Sequence, residues 1–106
     1  MYLNDLANYI KSNKKFISGL AAYVQNVQFD ITDYAYDPQD RTFYLMTGDD
    51  DPIAVKDILR ESYRYPDQTK LAIICEDFSC IAPVRNFSTQ FGDPNFGDPN
   101  LVIIHI

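Results

Sequence analysis

The chain has no tryptophan, one histidine, two cysteines and four glycines among its 106 residues. Each shortage excludes something. With His105 the only imidazole and Cys75 and Cys80 the only thiols, the paired ligand spacing of structural zinc is missing. His105 lies in a terminal apolar stretch, which points to a strand side chain and not to the base of a Ser-His-Asp or Cys-His system. Gly19, Gly48, Gly92 and Gly97 are too scattered to make a phosphate-cradling loop. The longest apolar runs, Leu71–Cys75 and Leu101–Ile104, fall far short of the about 20 residues of a membrane span. The N-terminal Met-Tyr-Leu-Asn-Asp lacks the basic-then-apolar pattern of a secretory signal. Basic residues are few, nine against fifteen acids, and Lys11, Lys14 and Lys15 form the only basic cluster, so direct nucleic-acid binding is not expected. No carboxylate pair stands out for acid–base work. The expectation is a non-enzymatic protein with no cofactor and no metal.

What is present suits a single soluble domain. Hydrophobic residues make up 46% and charged residues 23%, an ordinary globular balance at a one-core length. Eight Tyr and seven Phe suit either protein interfaces or alternating strands. The net charge of −6 is local: residues 30–51 hold seven Asp against Arg41 alone. Thirteen of the fifteen acids are Asp, which favours turns and helix N-caps. Asp30, Asp33, Asp37, Asp40, Asp49, Asp50 and Asp51 are therefore either solvated turn residues or a negative patch for a basic partner.

The periodicity predicts an α+β fold with a mixed or antiparallel sheet of four to five strands and two to three helices. Leu3, Leu6, Ala7 and Ile10 follow a helical stripe over residues 2–12. Phe16, Leu20, Ala21 and Val24 continue it, predicting a second helix over 14–25, with a strand or a tail of the first helix as alternatives. Val27, Phe29 and Ile31 alternate with polar neighbours and run on through Tyr34 and Tyr36; Asp37-Pro38-Gln39-Asp40 turns the chain into Arg41–Thr47, a hairpin over 27–47. Asp51 before Pro52 reads as the N-cap of a helix ending before Pro66. Lys70–Glu76 reads as a strand, Asp77-Phe78-Ser79 as a turn, and Cys80–Val84 as a further strand. Across such a hairpin Cys75 and Cys80 face each other, as a disulfide or, by default without a secretory signal, as buried thiols.

Residues 1–85 thus form the α+β core, and 86–106 an extended arm belonging to the same domain or reaching another subunit. Residues 86–100 show no periodicity and contain an exact tandem repeat, Phe91-Gly-Asp-Pro-Asn95 and Phe96-Gly-Asp-Pro-Asn100. Asp93, Asn95, Asp98 and Asn100 read as turn residues or, less simply, as oxygen ligands. Leu101-Val-Ile-Ile-His-Ile106 is a strand apolar on both faces, which must insert into its own sheet or add to a neighbour's edge. Phe91, Phe96, Leu101, Val102, Ile103, Ile104 and Ile106 are the candidate protein-contact residues.

The helix Tyr2–Ile10, hairpin Val27–Thr47, helix Pro52–Tyr65 and strand Leu101–Ile106 come in an order that resembles the small α+β neck and tail proteins of tailed bacteriophages, of the tail-terminator and head–tail connector types. The resemblance spans most of the chain and rests on element order and size, so no residue is carried over. It implies a ring-forming, non-enzymatic structural protein, in a virion or the host cytoplasm. The alternative reading is a small acidic inhibitor of a host nuclease, an antirestriction or anti-CRISPR type of DNA mimic, with the seven Asp as the mimic.

Overall fold

The computed structural model describes residues 1–13, 16–75 and 80–106, with only the backbone of Cys80. Lys14, Lys15 and the expected turn at 77–79 lie outside the described residues. Helix α1 (Leu3–Ser12) and helix α2 (Val55–Ser62) accompany strands β1 (Gly19–Val24), β2 (Val27–Asp37), β3 (Thr42–Thr47), β4 (Lys70–Cys75), β5 (Cys80–Pro83), β6 (Asn86–Gln90) and β7 (Leu101–His105). They form one mixed half-barrel sheet of seven strands in the order β5-β4-β3-β2-β1-β7-β6. Pairing is parallel between β1 and β7 and between β3 and β4, and antiparallel elsewhere.

This corrects the expected four to five strands, while the two helices fall within the expected two to three. Two strands were hidden and one helix does not form. Residues 19–24, expected first as helix with a strand as an alternative, are β1, a central strand whose side chains are buried on both faces except at Tyr23. A strand covered on both sides loses its alternation, so Leu-Ala-Ala reads equally well at helical spacing. The turn into β2 takes two residues, Gln25 (φ 50°) and Asn26 (φ 66°), the left-handed pair that a tight hairpin of the right twist requires. Residues 86–90, expected to be structureless, are β6, an edge strand that buries only Phe87 and therefore carries little hydrophobic signal. The helix expected from Pro52 starts three residues later. Ile53 donates its N–H to Ile31 O (3.0 Å), which keeps the segment extended, and Asp51 is not the cap. Asp57 Oδ2 instead accepts the Ala54 N–H (3.3 Å), as Asp5 Oδ2 accepts the Tyr2 N–H (2.7 Å) at α1.

The sheet bends around α1. The Leu3 N–H donates to Thr69 O (2.8 Å) at the start of β4, while Tyr9 shares a 2.8 Å hydrogen bond with Thr89 on β6 and packs its ring on Phe87 at 5.5 Å. In a flat sheet β4 and β6 would lie about 24 Å apart, five strand spacings. Leu3 and Tyr9 are only about 9 Å apart along the helix. One short helix reaches both because the sheet curls its inner face around it. Leu3, Leu6 and Ile10 join Leu20, Ile31, Phe43, Leu45, Leu71, Ile73, Val102 and Ile104 in one core there, all buried. Truncating such a residue, as in Leu6→Ala, costs about 3 kcal/mol.

Between Ile31 and Asp33 the β2–β3 register shifts. Before the shift the odd residues Phe29 and Ile31 face the core; after it the even residues Tyr34 and Tyr36 do. The bulge keeps both sets inside. Tyr34 stacks on Phe43 (5.3 Å) and Tyr36 on Tyr65 (4.1 Å).

Candidate functional site

Strand β7 belongs to the chain's own sheet, between β1 and β6. Of the seven candidate contact residues, Val102, Ile103 and Ile104 are buried within the molecule, and Leu101 and Ile106 are half-buried. Only Phe91 and Phe96, both in the loop between β6 and β7, are exposed.

That loop is built, not slack. Asp93 organises its tip: Asp93 O accepts the N–H of Phe96 (3.1 Å) and of Asp98 (3.1 Å), and Asp93 Oδ1 accepts that of Asn95 (2.9 Å). Gly97 turns the chain at φ 69°, a left-handed conformation natural to glycine. Asn100 closes the base. Its Oδ1 accepts the Gly92 N–H (2.9 Å), its Nδ2 donates to Phe16 O (3.0 Å), and its own carbonyl accepts the Ser18 N–H (3.0 Å). A side chain on Gly92 would collide with the backbone at Asp98 and Pro99, so the returning strand of the loop lies directly on it. Phe96 is left 81% exposed at the outer end.

Beside the base of this loop runs an apolar groove of about 540 Å³, within the range of small-ligand and peptide sites. Ile10 from α1, Ile17, and Val55 and Leu59 from α2 form its floor, and Phe16, 82% exposed, one wall. Among the described residues its charged lining is Lys11 and Lys56, with no carboxylate. Lys11 Nζ sits 4.4 Å from the centre of the exposed Tyr63 ring. Phe16 and Ser18 line the groove and also bond Asn100, so loop and groove are neighbours on one surface. Sequence reasoning missed the groove. Its lining comes from two stretches far apart in the chain, Ile10 to Ser18 and Ala54 to Leu59, which local periodicity does not bring together.

The acidic residues gather differently. Asp30, Asp33, Asp40, Asp49, Asp50 and Asp51 are exposed and Asp37 is half-buried. Asp37 accepts the Gln39 N–H (2.9 Å), the turn role expected of Asp, while Asp33, at the bulge within β2, accepts the Tyr34 N–H (2.8 Å). Among the described residues none of the seven forms an ion pair; those found join Arg60 to Asp57 and Glu61, and Arg64 to Glu61. Glu61, buried on α2, also accepts from Tyr34 Oη at 3.3 Å. The nearby Tyr65 phenol is pushed up by burial and then by the Glu61 charge. The Arg60 guanidinium is held further into its charged form by Tyr34, and next by Asp57.

The structure does bring a hydroxyl to the lone histidine: Ser88 Oγ lies 2.8 Å from His105 Nε2. The ring also meets Tyr23 at 5.9 Å. Among the described residues no carboxylate bonds His105, and Ser88 does not line the shallow hollow formed by Arg85, Asn86, His105 and Ile106. A nucleophile–base pair needs both an orienting group and a cleft. The contact is a cross-strand hydrogen bond between β6 and β7. Cys75 is buried and stands opposite Cys80 in the β4–β5 register. Among the described residues no cluster of three His, Cys, Asp or Glu side chains is placed to hold a metal ion, and no helix is long and apolar enough to cross a membrane. Compared with known families, curated proteins and solved structures, the chain matches none.

Proposed function

We propose that this chain is a non-enzymatic structural protein that works through protein–protein contacts, as a neck or tail component of a phage virion. The observation that carries the reading is Phe96, a large apolar side chain held 81% exposed on a loop organised by its own hydrogen bonds. Ordering a loop costs conformational entropy, and an aromatic ring in water gains nothing from it. A pre-ordered aromatic anchor lowers the entropy lost on binding a partner. Light scattering across a sizing column tests the reading. A multimer, or a mass that rises with concentration, is expected; a monomer at every concentration, with no bound protein partner, would sink it.

The acidic-inhibitor reading has its own support: seven acidic side chains within residues 30–51 with no ion-pair partner among the described residues. It expects a monomer that binds a nuclease with an affinity falling steeply as salt rises. Salt-independent binding, or none, would remove it.

A further inference from the structure

We propose that the apolar groove between α1 and α2 receives the Phe96 loop of a second copy of this chain, each copy giving its loop to the other. This rests on the assembly reading and names its contact. The groove floor is Ile10, Ile17, Val55 and Leu59, apolar and wide enough for an aromatic ring. The loop offers such a ring at Phe96, 81% exposed.

Charge matches as well. In a chain of net charge −6, the groove's charged lining among the described residues is cationic, Lys11 and Lys56. Asp98 follows Phe96 by two residues and is exposed, with no ion pair among the described residues. A ring entering the groove brings this carboxylate toward the lysine rim, where an opposite charge raises both association rate and specificity.

The geometry sets the symmetry. Loop and groove adjoin through the Asn100 bonds to Phe16 and Ser18. Two neighbouring complementary features on one surface pair reciprocally under a two-fold axis, so one rotation seats both loops. The loop's fixed shape also keeps Phe96 out of the groove of its own chain, where it leaves the ring exposed.

Sedimentation velocity on the full chain tests this. The wild type is expected to dimerise, and Phe96→Ala to raise the dissociation constant at least tenfold. Lys56→Glu should weaken the dimer several-fold, and Lys56→Glu combined with Asp98→Lys should recover most of that loss. All three positions are exposed, so the variants are expected to fold; circular dichroism checks it. The peptide Phe91–Asn100, titrated into the Phe96→Ala chain, should shift the backbone amide resonances of Ser18, Val55 and Leu59 saturably. If Phe96→Ala associates like the wild type and the peptide shifts nothing, the loop–groove contact is overturned while the assembly reading survives through another surface. If the wild type stays monomeric, the two-copy contact is overturned whatever the peptide does, and if it also binds no other protein the assembly reading fails with it.

Discussion

The two copies of Phe-Gly-Asp-Pro-Asn are identical in sequence and opposite in role. In the first, Asp93 folds the tip by accepting from Asn95, Phe96 and Asp98, while Asn95 is exposed. In the second, it is Asn100 that works, holding Gly92 at one side and Phe16 at the other. The first glycine is compressed against the backbone of the second repeat, whereas a side chain on Gly97 would meet no atom within 4 Å. Five residues of local sequence therefore do not determine five residues of structure. What differs is the neighbour: the second copy runs into β7 and bonds the segment before β1 through Asn100, while the first follows directly on β6.

Single substitutions at matched positions sharpen the contrast. Gly92→Ala should cost most, about 2 to 3 kcal/mol in urea denaturation, because its methyl group would overlap carbonyl oxygens that cannot move without opening the loop. Asn100→Ala should cost about 1 to 2 kcal/mol, since it strips partners from the Gly92 N–H and the Phe16 carbonyl. Asn95→Ala, the matched change, should stay within about 0.5 kcal/mol. Equal losses at the two asparagines would erase the asymmetry. Gly97→Ala should cost about 1 kcal/mol, all of it backbone strain at φ 69°, and Gly97→Asn less, since Asn tolerates that conformation. Phe96→Ala should shift the urea midpoint least, within about 0.5 kcal/mol, while having the largest effect on self-association. A large stability loss there would mean that the ring is packed in its own chain.

Much of the fold was legible where short-range chemistry dominates. The stripe Leu3, Leu6, Ala7, Ile10 became the buried face of α1. The Asp37–Asp40 turn joined β2 to β3. The alternation predicts a strand straight through Tyr34 and Tyr36, and does not foresee the bulge that turns these two inward. Strand β1 stood only as an alternative to a helix, because central burial removed its alternation. Strand β6 was not legible, because its single buried Phe87 carries no period. Asp51 failed as a cap because Ile53 is committed to β2, a contact local propensity does not register.

The sequence by itself determined the helix at the N-terminus, the hairpin and the concentration of acid in residues 30–51. Each follows from residues within a few positions of one another. Only the tertiary structure decided that Gly19–Val24 is a strand, that β7 lies between β1 and β6, that Phe96 and not the terminal strand faces water, and that a cationic-rimmed groove adjoins it. The physical reason is pairing at a distance. β1 is a strand because Leu20–Tyr23 exchange hydrogen bonds with Val102–His105, and those partners, at the far end of the chain, outweigh the helical spacing written locally.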